Sequence, residues 1–318
     1  MKKNGKVKRV VLFSFVGALV TFLTVVLLIV FVFPYANTTN KKEKHSDWMK
    51  NLDGDQLITD LVLPGSHDSA ANISDLPFFT KTQYTSIQEQ LEIGVRTFDM
   101  RLTIEKERIK FTHSSFNCKE NAFKTLYLEK VCNLMYDFLN ENPSETILFI
   151  AKHEHGKETI SELEDIFYNT IKDNANKWYL NGSIPTLSEA RGKIVLLTRY
   201  QTNYGINVSW IEQSGKDDTS KTYDVISHGD YDVCIQDRYQ YKIDDKWSAF
   251  TSKLPELNKP TIVLNYLSTT EGGLTSPTNI AKKLNNKFMS YDVPSDFKGS
   301  IMLDFINSDL VGKIINKN

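Results

Sequence analysis

The sequence predicts an α/β fold: an irregular TIM-type (β/α) barrel preceded by an N-terminal transmembrane helix. Three observations predict it. Eight short apolar stretches with strand character alternate in places with helical patterns, over roughly the 250 residues a barrel needs. Ionisable residues recur at the C-terminal ends of those stretches, where such barrels build their sites. An uncharged apolar run stands before all of this.

The run is Val10–Phe33, and Lys2, Lys3, Lys6, Lys8 and Arg9 precede it. It is longer than the roughly 7–15 residues of a signal-peptide core and meets the roughly 20 needed to span a bilayer. The basic flank predicts a cytoplasmic N-terminus and an outward-facing remainder. The expected organisation is a basic cytoplasmic segment (1–9), a signal-anchor (10–33), a polar linker (34–47) and one folded domain (48–318). The expected location is the cell membrane, single-pass, with the folded domain extracellular. Secretion after cleavage near Ala36 is the competing reading. No Cys follows the run, which argues against lipoprotein attachment.

The strands expected in order are Asp60–Leu63, Val95–Leu102, Ile109–His113, Thr146–Lys152, Lys193–Arg199, Val233–Asp237, Thr261–Leu267 and Ser300–Ile306. The first is expected to stop at Pro64-Gly65, since Pro donates no ladder hydrogen bond. Helices are expected over Ala122–Asn140, Lys157–Asn174, Ile243–Ser252 and Ile280–Asn286, the first stopped by Asn142-Pro143. A doubly wound sheet is the alternative, but no Gly-x-Gly-x-x-Gly turn follows any strand.

The formal net charge of −1 hides an asymmetry: residues 1–33 carry five positive charges and no negative ones, which leaves −6 for the rest. That balance excludes the basic footprint of a nucleic-acid binder and does not favour electrostatic adhesion to anionic lipid. Three Cys (118, 132, 234) are too few for a disulfide scaffold, and a Cys118–Cys132 bridge stays open.

The strand ends carry the chemistry. They supply His67-Asp68, Asp99 with Arg101 two residues on, His113, Lys152-His153-Glu154-His155, Arg199, Asp237 with Tyr239, and Asp304. Residues two apart share a face, so Asp99 and Arg101 point together. Two imidazoles with a guanidinium and carboxylates suit in-line attack on a phosphodiester. One imidazole takes the nucleophile's proton, the other protonates the leaving oxygen, and an Arg clamps the phosphate. His153 and His155 share one face and Lys152 and Glu154 the other. Only one pair can line a pocket, so a metal at the two His is disfavoured and no cofactor is expected.

With these residues in view, residues 48–318 resemble the secreted bacterial phosphatidylinositol-specific phospholipases C, of the metal-independent X-domain type. The resemblance rests on Leu-Pro-Gly-Ser-His-Asp-Ser (63–69), Gly-Val-Arg-Thr-Phe-Asp-Met-Arg (94–101), Asn-Pro-Ser-Glu-Thr-Ile (142–147), Arg-Gly-Lys-Ile-Val-Leu-Leu-Thr-Arg-Tyr (191–200) and Gln-Asp-Arg-Tyr (236–239). It implies a barrel with an incomplete strand ring and a lyase that releases diacylglycerol and inositol 1,2-cyclic phosphate. His67 is then the general base on the inositol 2-hydroxyl, with Asp304 orienting it. His113 is the general acid, with Asp68 as partner, and Arg101 stands where calcium-dependent relatives place a metal ligand. Lys152, Arg199, Asp237 and Tyr239 fall on inositol-binding positions, and Asp99 and Glu154 on supporting ones. The implied partners are an inositol phospholipid and a membrane surface, with no nucleic acid, and the protein is expected to be a monomer.

Two departures from the family stand out. His113 is followed by Ser114, where familiar members have Gly. The rim tryptophans are missing, which leaves Phe78, Phe79 and Leu274 as the expected apolar rim. Competing functions are a metal-dependent hydrolase like the glycerophosphodiester phosphodiesterases, and a catalytically silent inositol- or sugar-binding surface protein.

Overall fold

The computed structural model describes residues 14, 16–26, 43–211, 222–271 and 275–318. Residues 16–26 are helical and exposed, and the remainder of the apolar run lies largely outside the described residues. Among the described residues, no helix is long and apolar enough to cross a membrane.

The principal strands are β1 (Val62–Ser66), β2 (Thr97–Glu105), β3 (Arg108–His113), β4 (Ile147–His153), β5 (Ile194–Thr198), β6 (Asp232–Gln236), β7 (Thr261–Tyr266) and β8 (Gly299–Leu303). Between them run α1 (Ile87–Glu92), α2 (Leu128–Glu141), α3 (Ile160–Ile171), α4 (Ile243–Phe250) and α5 (Pro277–Ser290), with α6 (Ser308–Ile315) last. The sheet order is β5-β4-β2-β1-β8-β7-β6, all parallel. Each expected strand is found, but β3 pairs antiparallel with β2 and lies off the main path, so it forms a hairpin rather than a member of the ring.

Among the described residues the ring is open. Ile206–Asn207 edges β5 in parallel, and Asp224–Ser227 edges β6 antiparallel. No ladder joins these edges among the described residues; the hydroxyl of Tyr231, just before β6, donates to the Asn207 carbonyl at 2.9 Å. Curling places Leu63, Ile150, Leu197, Ile235, Leu264 and Met302, from six different strands, in one interior cluster. The opposite faces, Phe98, Phe149, Leu196, Val263 and Leu303 among them, pack with Val131, Met135 and Leu139 of α2 and Leu284 of α5. Period-2 alternation of the strand produces this division.

Three expectations are corrected. β1 runs through Pro64-Gly65 to Ser66. The Pro64 carbonyl accepts from Arg96 N–H, so the side of Pro64 that lacks a donor faces β2, whose pairing begins only at Gly65. Gly65 lets the Met302 side chain pack directly on the strand, since a Cβ there would meet Met302 Sδ at 2.2 Å and displace it. The first long helix starts at Leu128 rather than Ala122, since Lys119–Asn121 and Lys124–Thr125 form a short hairpin ahead of it. Cys118, Cys132 and Cys234 are all free and buried, so no Cys118–Cys132 bridge forms.

Below the sheet, Arg96 and Glu145 make a fully buried ion pair at 2.8 Å. Arg96 also donates to the Leu91, Val95 and Ser46 carbonyls, and Glu145 accepts from Met49 N–H and Ser144 Oγ. Such a pair is tolerated inside only because its remaining donors and acceptors are satisfied. It fastens residues 45–49 beneath the strands.

Candidate active site

The interior rows of the strands continue, one or two residues on, into ionisable groups. Leu63 and Gly65 lead to His67, Leu148 and Ile150 to Lys152 and Glu154, and Val195 and Leu197 to Arg199. Val233 and Ile235 lead to Asp237, Ile262 and Leu264 to Tyr266, and Met302 to Asp304, while Asp99 and Arg101 share the inward row of β2. The alternation that fills the core thus delivers its polar groups to one end of the sheet.

His67 Nδ1 lies 2.7 Å from Asp304 Oδ1, and a carboxylate only accepts, so this nitrogen carries the proton. Nε2 then faces the pocket, 3.5 Å from Asp68 Oδ2 and 3.2 Å from Arg101 Nη2. Burial alone would lower the His67 pKa, but the Asp68 and Asp304 carboxylates outweigh it and the opposing Arg101 charge, and hold it at about 9. Buried Gln83 fixes the backbone beneath, donating to the His67 and Leu303 carbonyls.

His113 Nδ1 lies 2.7 Å from the Thr80 carbonyl, so it too carries its proton on Nδ1 and turns Nε2 inward. That Nε2 is also 3.5 Å from Asp68 Oδ2. The two imidazoles therefore flank one carboxylate oxygen: Asp68 stands beside His113 as expected, and beside His67 as well. What aims His113 is a backbone carbonyl, and Thr80 is itself anchored through its hydroxyl to Ser74 Oγ and the Asp75 carbonyl. Asp68 and Ser114 both adopt positive φ, +41° and +52°. The family's Gly after the acid His would take that conformation without strain.

Arg101 fills the floor between these groups. Nε and Nη2 donate to the two Asp99 oxygens at 3.1 and 3.0 Å, Nη1 donates to Glu154 at 3.1 Å, and Nε lies 2.9 Å from Asp68 Oδ1. Burial opposes the charge of Arg101, but Asp68, Asp99 and Glu154 keep its pKa well above the ordinary value. Glu154, desolvated but held beside Arg101 and Lys152, falls to about 2, and Asp99, also desolvated, is moved down by Arg101, His67 and Arg199. His67, Asp68 and Asp99 bring ligand-type atoms within 4.8 Å of one another, a spacing a cation could bridge. The Arg101 guanidinium already lies within 3.2 Å of all three, so a divalent ion there would face a fixed positive charge.

Lys152 reaches Glu154 at 2.9 Å, which joins it to the Arg101 cluster. His153 turns the other way, to Glu158 at 3.2 Å, as the strand alternation requires. The Arg199 guanidinium stacks on the Trp210 ring at 3.4 Å. Asp237 is buried at the end of β6, and Tyr239 lines a cavity of about 360 Å³ with His67, His113 and Asp304. Leu76, Phe79, Phe116 and Pro277 supply that cavity's apolar wall. Phe79 is 40% exposed, whereas Phe78 stands behind it, edge-on at 4.8 Å, and does not line the cavity. Leu274 lies outside the described residues. A larger cavity, about 800 Å³, opens between the segments that follow α4 and α5, but no His or Arg lines it, so size does not mark the site.

Tyr266, Trp210, Thr80, Gln83 and Lys246 escaped the sequence reading. Tyr266 is fully buried, edge-on to the His67 ring at 5.9 Å. Burial raises its pKa, and the charges of Asp99, Arg199, Asp237 and Arg101 all act on it, which places it among them. Its signal was an inward parity shared with Ile262 and Leu264 at a strand end. Lys246, fully buried on α4, donates to Gln236 Oε1 at 2.9 Å, and burial lowers its pKa to about 7 against the pull of Asp237 and Asp304. Nothing in a run of surface-like residues around it marked it as interior.

Fold and site together define an α/β protein that brings two imidazoles to one carboxylate oxygen beside a guanidinium, an arrangement suited to phosphodiester chemistry. Residues 64–200 match the family described as phosphatidylinositol-specific phospholipase C, X domain. The chain is 26% identical over 305 residues to a 1-phosphatidylinositol phosphodiesterase of Staphylococcus aureus (strain Newman), covering 86% of this chain and 94% of that one. Against the enzyme of that name from Listeria monocytogenes it is 26% identical over 309 residues, 89% of each chain. Among solved structures it superposes on a phosphatidylinositol-specific phospholipase C from Staphylococcus aureus with TM-score 0.69 at 24% identity, over 88% of this chain and 99% of the other. The Listeria monocytogenes enzyme superposes with TM-score 0.63 at 22% identity, over 87% and 99%. At those identities the superpositions speak for the fold.

Proposed function

We propose that this chain is a phosphatidylinositol-specific phospholipase C that cleaves inositol phospholipid to diacylglycerol and inositol 1,2-cyclic phosphate. His67 Nε2 takes the proton of the inositol 2-hydroxyl, whose oxygen attacks phosphorus in line. His113 Nε2 protonates the departing diacylglycerol oxygen. Arg101 binds the phosphate and meets the charge that develops on it, and Asp304 holds His67 in the required tautomer. Lys152, Arg199, Asp237 and Tyr239 hold the inositol, with Asp99 and Glu154 fixing Arg101. The observation that carries this reading is the pair of Nε2 atoms, each 3.5 Å from one Asp68 oxygen, with both Nδ1 atoms engaged elsewhere.

No metal enters these steps, because Arg101 occupies the charge position a cation would take. The apolar wall of Leu76 and Phe79 faces the lipid. The Val10–Phe33 run anchors the chain in the cell membrane with the catalytic domain outside, or is removed to release it, and the domain acts as a monomer. Replacing His67 with Ala tests the chemistry: release of cyclic phosphate is expected to vanish while the circular dichroism spectrum stays unchanged. Full activity in a folded His67→Ala protein refutes the assignment. Carbonate extraction of membranes, with and without residues 1–36, tests the anchor.

A further inference from the structure

Phe123 is 98% exposed at the tip of the Lys119–Thr125 hairpin, more than any other large apolar side chain among the described residues. A solitary exposed apolar side chain is ordinary, so its position must decide. β1 and β2 are parallel neighbours, so the segment leaving β1, which carries Leu76 and Phe79, lies at the C-terminal end of the sheet, the site end. β3 turns back along β2 and delivers His113 to that end, and the hairpin follows it.

The two segments are fastened together. Ser74 bridges to Cys118, Lys119 N–H donates to the Ile73 carbonyl at 2.8 Å, and Lys119 Nζ meets Asp75 at 2.5 Å. Phe116, which lines the cavity beside the imidazoles, enters the hairpin directly. The hairpin is thus tied to both segments that supply the cavity's apolar wall, Leu76 and Phe79 on one and Phe116 on the other. Ion pairs neutralise the hairpin's charges: Lys119 meets Asp75 of the neighbouring segment, and Lys124 meets Glu120 at 2.7 Å.

We propose that the Lys119–Thr125 hairpin is a second membrane-contacting element, which inserts Phe123 into the lipid interface beside the cavity mouth, independently of anionic lipid. The proposal rests on the reading of the cavity as a lipid site. Charge selects this occupant: a hairpin whose charges are paired, on a domain of net −6, gains little from anionic headgroups, and burial of one aromatic ring supplies the attraction.

The full-length Phe123→Trp protein tests this in vesicles of phosphatidylcholine alone and of phosphatidylcholine with phosphatidylserine, each with acyl chains brominated. Wild-type protein reports the background of the native tryptophans. Added quenching of the introduced indole in both compositions, unchanged at high salt, is expected. No added quenching, or quenching confined to phosphatidylserine, overturns the proposal. Shielding of that indole without lipid, growing with protein concentration, assigns the tip to a second copy and overturns it as well.

A Phe123→Ser protein gives the second measurement: its turnover of phosphatidylinositol in vesicles is expected to drop roughly tenfold, with turnover of a monomeric short-chain analogue unchanged. Equal loss on both substrates, or on neither, counts against it. Quenching needs no turnover, so a chain that inserts but never cleaves inositol lipid refutes the proposed activity and leaves the insertion standing.

Discussion

Asp304→Asn is the most revealing single change. The carboxylate accepts the His67 Nδ1 proton at 2.7 Å and is one of two that lift the His67 pKa to about 9. An amide can present its NH2 to Nδ1, which moves the proton to Nε2, where no base can then act. Loss of tautomer control at a catalytic imidazole is worth on the order of 10⁴ in kcat. With one negative neighbour gone, the His67 pKa is also expected to fall from about 9 towards 6.5. The base must be neutral, so wild-type kcat/KM should rise with pH up to about 9, and the acid limb of the variant should move downward. Initial rates on a soluble inositol phosphodiester from pH 5 to 10, with NMR titration of the His67 ring, would measure both effects. A variant with wild-type kcat, or an acid limb that does not move, refutes the assignment of Asp304 to His67.

His113→Ala should lose about 10²–10⁴ in kcat on phosphatidylinositol, but far less on a nitrophenyl ester whose leaving group needs no proton; equal losses on both substrates remove His113 from the acid role. Arg101→Lys cannot reproduce the fork that meets Asp99 and Glu154, and a loss of roughly 10²–10³ in kcat is expected in steady-state assays. Glu145→Ala strands a buried guanidinium and should destabilise by about 3–5 kcal/mol in urea melts, with Arg96→Met/Glu145→Met recovering most of it. His67, whose pKa is higher folded than unfolded, contributes stability in full below pH 6.5 and loses it as pH rises through about 9. Wild-type protein should therefore lose roughly 3 kcal/mol more than His67→Gln between pH 6 and 10 in the same melts.

The strands and their polar ends were legible because a curled parallel sheet writes its pattern into single residues: an inward row of apolar side chains, then a polar one. That is why Asp99, Arg101, Lys152, Arg199, Asp237 and Asp304 could be placed on one side from sequence. Elements set by tertiary contact were not legible. Pro64 sits inside β1 because its missing donor faces a stretch where β2 has not yet begun to pair. The hairpin around Phe123 displaced the start of α2, because Cys118 pairs with Ser74 across two loops distant in sequence. His113 was expected to lean on a carboxylate, yet a carbonyl from the loop after β1 aims it, and backbone groups leave no mark in side-chain patterns. Tyr266 and Lys246 were missed because a tyrosine at a strand end and a lysine on a short helix look ordinary until burial is known.

Phosphorus NMR of full-length protein digesting phosphatidylinositol, run with and without EDTA, weighs the central claim most directly. Two imidazoles working over a guanidinium should yield a five-membered cyclic phosphate as the first product, at the same rate in chelator. An acyclic phosphate appearing first, or turnover that stops when divalent ions are removed, contradicts it.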